Sequence, residues 1–254
     1  MKNINIIPIG SGSTGNSIYI EIGGYHLLVD MGIGYKKVKE ALKIHGRDMN
    51  DIDAVFMTHG HHDHCKAAEA ISNHIRCKVY AGKTVMFSIR KIKAEREVLK
   101  INETIELFPG LLIRMFPIPH DFVYTCGYVF QTSDVKLAYV TDCGRMNDRI
   151  LEELSGADVI IIESNHDVEM LKNSPYPWPL QERIRSEAGH LSNDECAEAI
   201  GYLIQKGTSH FLLAHLSLQN NTPQKALETI RSRISDPKID LYVCPAEGND
   251  LLTY

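Results

Sequence analysis

Residues 52–65 read IDAVFMTHGHHDHC. Ile52 to Thr58 is a short apolar run of strand length, and directly behind it His59, His61, Asp63 and His64 place four potential metal ligands within six residues. A single ion cannot readily use all four. On an extended loop His59 and His61, two apart, can point to one side, whereas Asp63 and His64 open the following helix and can face a second ion. The spacing therefore predicts a two-metal site. A solvated polar loop is the competing reading, but it does not explain why so many imidazoles follow a buried strand. His62 is expected to point away and is left out of the ligand set.

Outward from this stretch, apolar runs alternate with amphipathic ones. DHCKAAEAISNHI reads as a helix, CKVYA as a strand, and KTVMFSIRKIKAEREVL as helical again with a basic, solvated face. The middle of the chain is β-rich (ETIELF, LLIRMFPIP, CGYVFQ, VKLAYVT), and the alternation resumes with ADVIIIE, SNDECAEAIGYLIQKG, HFLLAH, PQKALETIRSRI and DLYVC. This order predicts an α/β protein in which two αβ halves face each other within one domain spanning 1–254. The one long irregular stretch, SNHDVEMLKNSPYPWPLQERIRSEAGHLS, is marked as a functional loop.

Near the start, GSGSTGNS (Gly10–Ser17) fits G-x-G-x-x-G and misses a Walker loop by Asn16 where Lys would stand. A phosphate loop needs a helix behind it, but SIYIEIGGYHLLVD continues as a hairpin, so the expectation is a structural turn. Composition is that of an ordinary globular protein: 254 residues, 44% hydrophobic, 23% charged and a net charge of −5. Six scattered cysteines without a C-x-x-C pair suit reduced thiols. With no signal-like or membrane-spanning run, a cytoplasmic protein without a membrane partner is expected.

Three further residues occupy the position behind an apolar run: His120 after MFPIP, Asp142 after LAYVT, and His215 after FLLA. Alone, each has an ordinary structural reading, and Asp142 could cap a helix near Arg145–Leu154. With H-x-H-x-D-H, however, they resemble the metallo-β-lactamase superfamily along the whole chain. The resemblance implies a four-layer αββα sandwich with both metals at the edge where its sheets meet. It places His59, His61 and His120 on the first metal, Asp63, His64 and His215 on the second, and Asp142 between them. Asp30, ending HLLVD, matches the superfamily's early structural Asp.

The stretches SGSTGNS, IIESNHDVEML, PYPWPLQERI, GHLSN and LAHLSLQNN are similar to the WalJ/YycJ subgroup, implicated as DNA exonucleases, and to tRNase Z. That similarity implies that Glu163 and His190 assist proton transfer, so that Asp63, Glu163 and His190 form the catalytic set. Asp142 stands where β-lactamases proper carry Cys, which favours phosphodiesters over β-lactams. Two divalent ions, Zn²⁺ or Mn²⁺, are expected to activate water and stabilise phosphoryl charge. Asn165, His166, Arg183, Ser217, Asn220 and Asn221 are the candidate substrate contacts, with Arg185 beside them; because GSGSTGNS resembles the subgroup's first hairpin, near the metal-bearing edge, the resemblance adds Ser13, Thr14 and Asn16 as minor ones. The expected activity is a metal-dependent phosphodiesterase, in the first place a DNA exonuclease with nucleic acid as partner. The alternatives are hydrolysis of a small ester (cyclic phosphodiester, lactone or thioester) and a metal-binding scaffold without turnover. A stripe of exposed cations leading to the metals would favour the polymer.

Overall fold

The structure, a computed structural model, describes residues 4–234 and 236–254. The first sheet contains β1 (Ile4–Gly10), β2 (Ser17–Ile22), β3 (Tyr25–Val29), β4 (Ala54–Met57), β5 (Lys78–Ala81) and β6 (Arg96–Val98). The second contains β7 (Thr104–Phe108), β8 (Leu111–Pro117), β9 (Cys126–Gln131), β10 (Lys136–Val140), β11 (Val159–Glu163), β12 (His210–Ala214) and β13 (Asp240–Val243). Strand β14 (Leu252–Thr253) returns to pair with β1, so the sheet orders are 14-1-2-3-4-5-6 and 13-12-11-10-9-8-7. From β3 to β6, and from β10 to β13, neighbours run parallel, while the hairpins are antiparallel.

The two-residue period of each strand assigns its side chains to layers. In VIIIE, Val159 and Ile161 enter the core between the sheets, whereas Ile160 and Ile162 point to the helices. In β1, Ile4 and Ile6 join the inter-sheet core and Ile7 and Ile9 face the other way. That inter-sheet core also holds Phe56, Tyr128, Phe130 and Leu212, drawn from both halves of the chain. On the second sheet's outer face pack α5 (Asp148–Leu154), α8 (Asn193–Ile204) and α9 (Pro223–Arg233) through Ile150, Ile200 and Ile230. On the first sheet's outer face pack α1 (Tyr35–Ile44) and the short α3 (Ala68–Ser72) through Val38, Leu42 and Ile71. The result is an αββα sandwich, as expected.

Local structure departs from expectation in three places. DHCKAAEAISNHI breaks into α2 (His62–Cys65) and α3, and of KTVMFSIRKIKAEREVL only α4 (Val85–Ser88) is helical. Its tail becomes β6 because Arg96, Glu97 and Val98 find parallel partners in Val79, Tyr80 and Ala81, a tertiary pairing that overrides local periodicity. Conversely, the stretch expected to be irregular contains α6 (Val168–Lys172) and α7 (Trp178–Arg185). Pro179 falls in the first turn of α7, where a missing N–H costs nothing.

Candidate active site

The connections that leave the carboxyl ends of β3, β4, β8, β10, β11 and β12 converge on one edge. Asp30, Asp142 and His215 there are held in the left-handed region (φ 63°, 57° and 58°), three of the five non-glycine residues with positive φ among the described residues. Such backbone persists only where its surroundings over-determine it, and it clusters at functional sites. Asp142 does not cap α5; that role belongs to Asn147, whose side chain accepts from the Ile150 amide.

Hydrogen bonds fix which nitrogen each histidine presents. His59 turns Nδ1 to Thr58 Oγ1 (3.0 Å) and His120 turns Nδ1 to the Gly189 carbonyl (3.0 Å), so both offer Nε2 to the site. His61 Nδ1 lies 3.0 Å from His59 Nε2 and 3.2 Å from His120 Nε2, which brings three imidazole nitrogens to one point. His64 sets Nδ1 on Asp30 (2.7 Å) and His215 sets Nδ1 on Glu163 (2.9 Å). Their Nε2 atoms each stand 3.5 Å from Asp63 Oδ2, a second convergence. Between the two lies Asp142: Oδ2 is 3.2 Å from His64 Nε2, and Oδ1 is 3.7 Å from His120 and 3.6 Å from His215.

Asp142 Oδ2 and His215 Nε2 are buried and make no acceptable hydrogen bond. Buried polar atoms are normally paired, so donors left free in this way, aimed at other donors, suit cations. Charge agrees. Burial pushes His59 and His61 below their usual imidazole value, which keeps them neutral. Burial opposes charge on His64 too, but Asp142 and Asp30 outweigh it and raise that group to about 10. His215 is likewise raised, against burial, by Asp142, Asp63 and Glu163. This surplus of negative charge attracts divalent cations, which displace the protons when they bind.

Glu163 is fully buried, and its carboxylate receives four donors. Oε1 accepts from His190 Nδ1 (2.8 Å) and His215 Nδ1 (2.9 Å), and Oε2 from the amides of Cys143 (2.7 Å) and Leu191 (3.1 Å). Burial would raise its pKa, but His190 and His215 outweigh that and hold the carboxyl below its ordinary range. His190 is partly exposed, and its ring stacks on that of His215 at 5.2 Å. Its Nε2 therefore remains available to a ligand.

The remaining candidates separate. Asn165 donates to the His215 carbonyl (2.8 Å), bracing that loop. Asn221 spends its amide inside the protein, with Nδ2 on the Ser164 and Asn165 carbonyls and on Asn193 Oδ1. Ser217 Oγ accepts from the Asn220 amide N–H. His166 Nδ1 and both side-chain atoms of Asn220 are buried without a partner. Arg183 is tied to Asp121 (2.6 Å), which itself sits 3.5 Å from His61 and 3.3 Å from His120; Arg185 pairs with Glu182.

The sequence reading missed Gly32, Ser11 and Phe122, and it offered Asn16 only as a minor substrate contact in a turn, not as a brace of the histidine loop. The Gly10–Ser17 turn is laced to the histidine loop: Asn16 N donates to the Asp63 carbonyl (2.8 Å), and Asn16 Nδ2 reaches His64 Nε2 (2.9 Å) and Asp63 Oδ2 (3.2 Å). Its Oδ1 accepts from Gly12 N, which fixes the amide's orientation. A Cβ on Gly32 would lie 1.7 Å from the Asp63 carbonyl oxygen, so only glycine admits this approach. Ser11 Oγ accepts from the His215 amide, and the Phe122 ring lies against His59 and His61. These are contacts between residues far apart in sequence, and no local pattern announces them.

The family profile described as a β-lactamase superfamily domain matches residues 25–215. This chain belongs to the metallo-β-lactamase superfamily. It is 34% identical to exodeoxyribonuclease YycJ of Bacillus anthracis over 86% of this chain and 84% of that protein. To exodeoxyribonuclease WalJ of Streptococcus pneumoniae (strain D39) it is 32% identical, over 92% and 90%. The solved metallo-β-lactamase fold protein YhfI of Bacillus subtilis superposes with a TM-score of 0.76 at 15% identity, covering 99% of this chain and 100% of that one. Among the described residues no helix is long and apolar enough to cross a membrane.

Proposed function

We propose that this protein is a metal-dependent phosphodiesterase acting on nucleic acid, in the first place a DNA exonuclease, with two divalent ions held in the arrangement described above. His59 Nε2, His61 Nδ1 and His120 Nε2 are the donors of one position, Asp63, His64 Nε2 and His215 Nε2 those of the other, and Asp142 serves both. The observation that carries the reading is the Glu163 carboxylate, which ties His190 to the ligand His215 through one oxygen. It joins a proton-transfer residue to the metal donors as one unit. The names of the two curated relatives support the same substrate class.

When bound, the ions supply an activated water nucleophile and neutralise charge gathering on the phosphoryl oxygens. Zn²⁺ and Mn²⁺ both suit mixed imidazole and carboxylate donors. The protein does the rest. Asp30, Thr58 and the Gly189 carbonyl fix the tautomers of His64, His59 and His120. Glu163 is a positioning residue: its carboxylate accepts from His190 Nδ1–H, so that in the doubly protonated ring the Nε2–H is the proton given to the departing sugar oxygen, which leaves the neutral ring with its proton on Nδ1. His166 and Asn220, with unpartnered buried atoms, are the strongest of the remaining candidates for contact with the scissile nucleotide. The inter-sheet core, built from both halves of the chain, supports a single domain, and six free cysteines fit a reducing cytoplasm.

The test is hydrolysis by the purified protein, with Mn²⁺ or Zn²⁺, of end-labelled single- and double-stranded DNA, of RNA, and of bis-p-nitrophenyl phosphate. Metal-dependent release of mononucleotides from a DNA end is expected. Turnover of a lactone or thioester without any phosphodiester cleavage would replace this reading with the small-ester one.

A further inference from the structure

A groove of about 520 Å³ runs beside the histidine loop, between its continuation (Cys65, Lys66, Glu69) and the segment Phe87–Ile92. The two walls meet at the site. Cys65 Sγ contacts the Gly60 carbonyl, and a Cβ on Gly60 would fall 2.1 Å from Ser88 Oγ and 2.5 Å from the Phe122 ring, the ring that covers His59 and His61. Thr84 Oγ1 donates to the Val123 carbonyl (3.1 Å), which joins the α4 segment to the loop carrying Phe122.

The groove is unlike the rest of this acidic chain. Residues 82–94 carry four cations (Lys83, Arg90, Lys91, Lys93) and no carboxylate. All four are exposed, as is Lys66, whose ammonium donates to the Thr14 carbonyl, and among the described residues none of the five makes an ion pair. Glu69 is the one acid in the lining. Unpaired cations gathered on a concave surface create a field for a polyanion. Apolar rings accompany them: Phe87 is 69% exposed on one wall, and next to it the Phe122 loop displays Val123 and Tyr124, the latter in the left-handed region (φ 63°). An exposed ring has a π-face for an unpaired base, which a duplex keeps stacked inside.

We propose that this groove is the track of a single nucleic-acid strand leading to the metal edge, with phosphates on Lys66, Arg90 and Lys91 and a base stacked on Phe87. This rests on the phosphodiesterase reading and adds the strandedness and route of the substrate. It also reassigns the electrostatic grip: the arginines of α7 are committed to Asp121 and Glu182, whereas the cations of the α4 segment are free.

The experiment measures binding of a fluorescein-labelled oligothymidylate by anisotropy across a salt series, together with kcat/KM on that oligonucleotide and on bis-p-nitrophenyl phosphate. In Arg90→Glu/Lys91→Glu, affinity should fall on the order of tenfold or more and the plot of log affinity against log salt should become shallower by about 1.4, from about 0.7 per phosphate contact on a single strand. The ratio of oligonucleotide to small-diester kcat/KM should fall in parallel, and Arg90→Lys/Lys91→Arg should restore the slope. Phe87→Ala should weaken binding about five- to tenfold without changing the slope. An unchanged slope and affinity in the double Glu variant would overturn the groove. Equal binding of a blunt duplex, equally sensitive to Phe87→Ala, would overturn the single-strand assignment. Groove-dependent binding without hydrolysis of any phosphodiester would uphold the track and sink the enzymatic reading, so the two failures are distinguishable.

Discussion

The two halves of the sandwich furnish the site in opposite ways. The first sheet supplies His59, His61, Asp63 and His64 from one connection, within six residues. The second supplies His120, Asp142, Glu163 and His215 from four different strand ends and His190 from the loop behind α7. A contiguous set is a chelate whose geometry is mostly local. A dispersed set exists only when five elements are in register, and the function we propose uses that dependence to separate tasks: His120 and His215 donate, Asp142 joins, and Glu163 with His190 handles the proton. In the proposed site both halves supply metal donors, and the second alone supplies the pair that moves the proton.

This contrast can be broken from the second half outward. The largest effect is expected at His190. His190→Ala should lose roughly 10²–10⁴-fold in rate on nucleic acid, whose leaving group is a sugar hydroxyl, but far less on p-nitrophenyl diesters, which need little proton assistance. Equal losses on both substrates would remove His190 from the acid role. Next is Asp142→Asn, chosen because Asn tolerates the φ of 57°. With the bridging charge gone, turnover of both substrates should fall on the order of 10²–10³-fold while circular dichroism is unchanged, since metal-ion stabilisation of the transition state is worth several kcal/mol. Near-normal turnover would make Asp142 a mere loop residue.

The smallest effect is read in stability. Burial lowers the His166 imidazole to about 4. The unfolded chain takes up that proton near pH 6.5 and the folded one only near 4, so this contribution is flat above neutrality, lost as pH falls from 6.5 to 4, and constant below. The loss amounts to about 3 kcal/mol, at about 1.4 kcal/mol per pH unit. Thermal melts of the chelated protein should therefore show a gentler acid slope for His166→Gln than for the parent, and identical slopes would show that His166 is not buried neutral.

What was legible in the sequence follows the same division. HGHHDHC declares itself because its ligands are local and chemically unusual, and VIIIE declares its two-sided burial because β11 lies between two layers. Glu163 and His190 are ordinary residues in isolation, and only the family's motif singled them out. Asn16 acts across 47 and 48 residues on Asp63 and His64, so its stretch read as a turn or a failed phosphate loop. KIKAEREVLK read as a solvated helix face, but β pairing with β5 claims its Arg96–Val98 and leaves its leading cations beside the site. Arg183 and Arg185, chosen for charge and position, proved to be already partnered, which charge patterns in sequence cannot reveal.

The central claim is that seven donors from both halves hold two ions while His190 holds none. Elemental analysis after reconstitution with Zn²⁺ or Mn²⁺ and removal of excess tests it most directly, applied to the parent, Asp142→Asn and His190→Ala. Two equivalents per chain in the parent and in His190→Ala, and fewer in Asp142→Asn, are the predicted result. Less than one equivalent in the parent, or loss of an equivalent in His190→Ala, would contradict it.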